Sequence, residues 1–332
     1  MAEIGKIRMS VLSGIHFPCQ KSRTWMAFLI LMFLCTTVLL SAGEIVSETE
    51  KTIVYRQSDG RVVTLSKHPA RTVIAYTSLA QLWYCAGGSA VGIPFVKAKE
   101  TLPPEARDLP VIGQVTAPNA EKLLSLRPSL VLFTVKHEKH RAMRGILERS
   151  GIESVYLDYK NYSDFLEILD FFCRLNGSTL KQNRRAETIV KEVDSICRKA
   201  KRLPSLRFAV LFAASRGFAL ERNGVNAAHM LTMLGGKNII TEPGNTRIPF
   251  SFERLLLEDP EIIFIITMGP TQKIQRKVAT ELMEQPAWKQ LSAVKRDRVH
   301  FLPLELYLYL PGTRFPEAFR RLAEQMHPGE EF

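Results

Sequence analysis

Two similar α/β lobes with mostly parallel sheets, joined by one long helix and leaving a ligand cleft between them: this is the fold the sequence predicts. Three observations carry it. Short apolar strands alternate with helically spaced segments through both halves of the chain, the pattern of βαβ units. One uninterrupted amphipathic run stands near the middle. A block in the first half recurs in the second, as two copies of one fold unit require.

Along the chain, residues 52–65 read as a hairpin, because Ile53-Val54-Tyr55 and Val62-Val63 flank the turn dipeptide Asp59-Gly60. A strand over 73–75 leads into a helix that ends at Gly87-Gly88, and a second strand spans 91–95. Apolar runs at 130–133 and 155–157 are buried strands, with a helix over 138–149 between them. From 178 to 202, Ala186, Ile189, Val190, Val193, Ile196 and Cys197 recur at helical spacing while Arg184, Arg185, Lys191, Arg198 and Lys199 take the other face. Ser178 or Thr179 starts this helix and Pro204 stops it. At about 24 residues it would measure ~36 Å, which suits a strut between lobes. The second series has strands at 208–212, 262–266 and 299–302, with helices over 226–234, 272–283 and 314–325. The predicted organisation is an export signal over 1–43, an extension with the hairpin over 44–70 and a binding region over 71–328. Within that region the first lobe spans 71–177, the linking helix 178–202 and the second lobe 205–328.

The repeat is specific. Glu121-Lys122-Leu123-Leu124, Pro128 and Leu130-Val131-Leu132-Phe133 are matched by Glu253-Arg254-Leu255-Leu256, Pro260 and Ile262-Ile263-Phe264-Ile265. Gly87-Gly88 has its echo in Gly235-Gly236. A cleft between two such lobes is a favoured ligand site.

Lys21 and Arg23 precede an apolar run from Trp25 to Leu40 that closes on Ser41-Ala42-Gly43. This is the plan of a cleaved export signal, with an uncleaved anchor as the alternative. Cys35 lacks a small residue before it, so lipid attachment there is not expected. Cleavage after Gly43 removes Lys6, Arg8, Lys21, Arg23 and Glu3, and takes the net charge from +12 to +9. A basic exported domain suits anionic ligands or a merely solvated basic surface, and no aromatic-studded basic motif speaks for nucleic acid. The five cysteines are scattered, with neither a disulfide framework nor a C-x-x-C pair.

The ordered stretches 118–128, 231–238 and 251–260, Pro286-Ala287-Trp288 with Ala293-Val294-Lys295, Arg298-Val299 with Leu302-Pro303, and Met326-His327-Pro328 carry a resemblance. The chain resembles the substrate-binding proteins of ABC importers for iron complexes (ferric siderophores, haem) and cobalamin, the helical-backbone class, from about residue 71 to 328. The resemblance implies that Glu121 and Glu253 dock onto arginines of a membrane permease. An arginine fork on a carboxylate makes a directional, charge-assisted pair. The bland alternative is that each glutamate favours its own helix start, worth ~0.3–1 kcal/mol. The permease and its ATPase would be separate chains, the cargo a small-molecule iron complex, no cofactor is implied, and the location is the periplasm or outer face of the membrane.

Loops at strand carboxyl ends line such a cleft, which selects Tyr76, Thr77, Ser78, Gln114, Val115, Lys136, His137 and Tyr159 from the first lobe. The second offers Ser215, Arg216, Arg247, Met268 and Tyr307. Phenolate and imidazole can ligate iron, and the basic residues suit carboxylates of haem or a siderophore. Packing at strand ends and solvated ion pairs are the plain alternatives for the tyrosines and arginines, and His229 is a weaker candidate. His137 and His140 share a helical face, but the stretch lacks a third imidazole and His-Glu-x-x-His spacing. Lipase, phosphate-loop and dinucleotide signatures are absent. Cobalamin or a bare metal ion on the same scaffold, and an exported enzyme or adhesin, are the competing readings.

Overall fold

A computed structural model describes residues 43–269 and 271–332. The expected export signal lies almost wholly outside the described residues. Strand β1 (Gly43–Glu48) joins β2 (Thr52–Gln57) and β3 (Val62–Ser66) in an antiparallel meander, so the expected hairpin gains a third strand. Side chains fasten the meander to the first lobe: Tyr156 N–H donates to Gln57 Oε1, Ser66 donates to Glu153, and the Tyr55 ring stacks on Phe171.

The first lobe is built on β4 (Thr72–Ile74), β8 (Leu130–Thr134) and β9 (Glu153–Leu157), all parallel in the order β4-β8-β9. A parallel bridge between Val73 and Gly92 brings β5 (Ile93–Phe95) alongside, and β6 (Val111–Gln114) and β7 (Ala117–Pro118) complete that edge. The second lobe carries β10 (Arg207–Ala214), β11 (Gly217–Glu221), β12 (Lys237–Asn238), β13 (Arg247–Pro249), β14 (Ile262–Met268) and β15 (Val299–Leu302). Its order is β13-β11-β10-β14-β15, with β12 against the start of β10. Strands β10, β14 and β15 run parallel, while the β10–β11 hairpin is antiparallel.

The strands read as continuous apolar runs because both faces of each sheet are covered. In β8, Leu130 and Leu132 face one core while Val131 and Phe133 face another; in β14, Ile262, Phe264 and Ile266 oppose Ile263 and Ile265. One face of each sheet belongs to the same core, which the helices Tyr162–Leu175, Arg184–Ala200, Asn226–Met233 and Phe315–Met326 fill between them. The lobes therefore share a hydrophobic core as well as a helix.

The linking helix is shorter than expected: Arg184–Ala200, 17 residues, or about 25 Å. Residues 180–182 form a turn, and Asn183 caps the helix by accepting from the Ala186 N–H. Nor is it a bare strut. It lies against Phe315–Met326, and Ala186, Ile189, Val193, Ile196, Cys197 and Ala200 are buried. The amphipathic helix Tyr162–Leu175, closed by an Asn161–Asp164 capping box, is a further element that the sequence pattern did not announce.

The repeat is real down to its hydrogen bonds. Asn119 accepts from Lys122 N–H and Ser251 from Arg254 N–H, so each helix (Ala120–Ser125, Phe252–Glu258) starts on the same kind of cap. Leu123 and Leu255 are both buried. Arg127 and Asp259, at equal spacing, turn left-handed with φ of 45° and 36° before their prolines, the conformation in which helices commonly end, and the prolines bar any continuation. In each lobe the chain then enters an interior strand of the sheet, β8 or β14.

Candidate functional site

Parallel register places the carboxyl ends of β4, β8 and β9 at one edge of the first lobe. That edge gathers Tyr76, Thr77 and Ser78, then Lys136 and His137, then Asp158, Tyr159 and Lys160. The Tyr76 and His137 rings meet edge to face with centroids 5.9 Å apart. Both side chains are half-buried. Burial raises the Tyr76 phenol pKa, opposed by its hydrogen bond with Ser78. Burial and the neighbouring Lys136 charge lower that of His137, which leaves a neutral imidazole with a lone pair to offer. Thr77 Oγ1 is buried and has no hydrogen-bond partner among the described residues.

Lys136 is engaged otherwise. Its Nζ donates to the Tyr159 carbonyl oxygen, and burial lowers its pKa against the pull of Asp158 and Asp164. Asp158 itself pairs with Lys160 at 3.1 Å. The neighbouring histidine is structural. His140 is fully buried: its Nδ1 accepts from Thr134 N–H at 3.3 Å, so its Nε2 donates to the Val115 carbonyl at 2.6 Å. Burial drives its pKa down to about 4. With both nitrogens spent, His140 cannot join His137 on a metal, and no cluster of three or more metal-binding side chains occurs among the described residues.

Two expected ligand residues turn out to be core. The Tyr159 side chain is fully buried, its phenol pKa held well above normal by desolvation. Tyr307 is equally buried and donates its hydroxyl to the Ala318 carbonyl at 3.0 Å. Each ring follows a strand end but turns into the shared core rather than toward solvent.

In the second lobe, β10 and β14 end together. The exposed Arg216 stands in the β10–β11 turn, and Met268, 44% exposed, ends β14. A recess of about 580 Å³ beside them is lined by Ser215, Lys273, Arg276 and Lys277 among others. Arg247 is held by a carboxylate and an aromatic ring. Its Nε and Nη2 donate to Glu221 Oε1 at 3.0 and 2.7 Å, and its guanidinium lies 3.8 Å above the Phe212 ring. Glu221 is completely buried, and desolvation raises its pKa despite Arg247. Arg247 is thus a partner for a buried charge. Nothing in the run Phe218-Ala219-Leu220 marks the glutamate after it as buried, so the sequence hid this pair.

The lobes touch where Asn161 Nδ2 donates to the Gly224 carbonyl at 3.3 Å and Ser163 Oγ lies 3.2 Å from His229 Nε2. His229 is a contact between lobes. Glu121 and Glu253 are both exposed, and neither forms an ion pair among the described residues, since Arg254 turns to Glu242 instead.

Residues 70–306 match the family described as periplasmic binding protein. The high-affinity heme uptake system protein IsdE of Staphylococcus aureus is 23% identical over 209 residues, 61% of this chain and 69% of that protein. Among solved structures, S. aureus IsdE complexed with heme aligns with a TM-score of 0.65 at 19% identity, covering 77% of this chain and 98% of that one. The periplasmic vitamin B12 binding protein BtuF of Vibrio cholerae aligns at 0.60 with 17% identity, covering 78% and 96%. No described helix is long and apolar enough to cross a membrane.

Proposed function

Because the chain belongs to the periplasmic binding protein family, we propose that it is the extracytoplasmic substrate-binding component of an ABC importer, exported through its amino-terminal segment. It captures an iron complex, haem or a ferric siderophore, and delivers it to a membrane permease whose ATPase is a separate chain. We assign it no catalysis and no resident cofactor. The observation that carries the cargo reading is the Tyr76–His137 pair on the cleft edge of the first lobe. A neutral imidazole would serve as an axial ligand for haem iron, and a phenol would do so as the phenolate, its proton released to solvent. In the second lobe, exposed Arg216 and the Lys273 and Arg276 of the neighbouring recess suit the carboxylates that haem and many siderophores carry. The similarity to a heme-uptake protein points the same way. Glu121 and Glu253, exposed and equivalent in the two lobes, serve as the permease contacts.

Titrating hemin into the purified protein tests the cargo. A saturable Soret band is expected, weakened at least tenfold in affinity by His137→Ala and shifted in position by Tyr76→Phe. Unchanged spectra in both variants would remove this pair from the site. Saturable uptake of cobalamin or a bare metal ion, with no hemin response, would replace the iron-complex reading.

A further inference from the structure

We infer that the docking surface is asymmetric: the second lobe offers the permease an apolar anchor, Leu257 with Leu256, beside Glu253, while the first lobe offers charge alone. The inference rests on the docking role proposed above. The two helices repeat each other closely, with a basic residue after each glutamate, and depart in character at one position. Glu121-Lys122-Leu123-Leu124-Ser125 is answered by Glu253-Arg254-Leu255-Leu256-Leu257, so exposed Ser125 has a leucine as its counterpart. Leu255 alone of the three leucines enters the core. Leu257 is 82% exposed and Leu256 37%.

Three and four residues beyond Glu253, both lie on its face of the helix, one to either side. A carboxylate without an ion-pair partner among the described residues thus sits over two solvent-exposed leucines. Such a face fits a partner with a basic side chain next to an apolar pocket, the first to pair the carboxylate and the second to cover the leucines. A second copy of this chain does not fit it. A twofold contact centred on this helix face would bring Glu253 next to its own copy, with like charges opposed. The permease, already invoked for both glutamates, is the occupant that the charge pattern allows.

The test measures binding of the full exported chain to the permease–ATPase complex of the same organism held in nanodiscs. Leu257→Ser should weaken docking by about ten- to a hundredfold, the loss expected for withholding one leucine from a buried contact. Its melting temperature and hemin titration should match wild type, since Leu257 touches neither core nor cleft. If Leu257→Ser docks like wild type while Glu121→Ala/Glu253→Ala is impaired, the anchor is refuted and the docking role survives. If Leu257→Ser docks normally but abolishes self-association in sedimentation, the leucines belong to a dimer and the inference fails. If wild type does not dock at all, both readings fall together.

Discussion

Arg247→Ala separates a structural arginine from a cargo-binding one. The guanidinium makes two hydrogen bonds to one oxygen of a fully buried carboxylate and lies against Phe212. Removing it leaves the buried Glu221 carboxyl without its ion-pair partner, a change that costs ~3–5 kcal/mol, and forfeits a cation–π contact of ~0.5–2 kcal/mol. A loss of about 4 kcal/mol at pH 7 is expected. With a urea m-value of about 3 kcal/mol/M, the unfolding midpoint would fall by about 1.3 M. The pH dependence has a definite sign. The folded-state pKa of Glu221 is raised, so its protonated form is the one the fold prefers, and the penalty for its charge grows as pH rises. Loss of Arg247 raises that pKa further. The gap between variant and wild type should therefore shrink on acidification from pH 7 toward 5. Glu221→Gln combined with Arg247→Met should recover most of the loss, because no orphaned charge remains. Urea titrations across that pH range, with hemin binding measured alongside, decide the matter. A cost under 1 kcal/mol with hemin affinity lost would return Arg247 to the cargo site and refute the reasoning.

Three further outcomes are expected. His140 should remain neutral to about pH 4 as the Nε2–H tautomer, visible in its imidazole nitrogen shifts; because its folded pKa lies below the ordinary value, stability should be lost as pH falls from ~6.5 through ~4, by at most about 3 kcal/mol, and titration near 6.5 would contradict the buried placement. Cys85, Cys173 and Cys197 are free and buried, with thiol pKa values pushed up to about 11, 12 and 11, so all three should resist an alkylating agent in native protein and react together on unfolding. Cargo-driven closure should be small, because the core shared by both sheets and the linking helix would have to repack; a large compaction in solution scattering would count against this.

Some of this protein is written in local patterns. The strand–helix alternation and the duplicated Glu-to-Pro block are properties of short segments, and apolar spacing, caps and prolines act over a few residues. That is why both lobes, the equivalent glutamates and the central strands are legible. The linking helix starts later than its spacing suggests because Asn183, not Ser178 or Thr179, supplies the cap, and the turn before it carries polar residues compatible with either. Only the tertiary structure decided which side chains at the strand ends stay at the edge and which enter the core. Tyr76 and Tyr159 look alike in sequence, yet one meets His137 at the edge and the other is sealed in the core. Arg247 reads as a free cation in sequence, yet the fold brings Glu221 across to it from β11. The physical reason is common to these cases: residue type sets what a side chain can bind, but its partners come from strands and helices distant in sequence. Burial by those partners determines whether a tyrosine, histidine or arginine keeps its chemistry for a ligand or spends it on the fold.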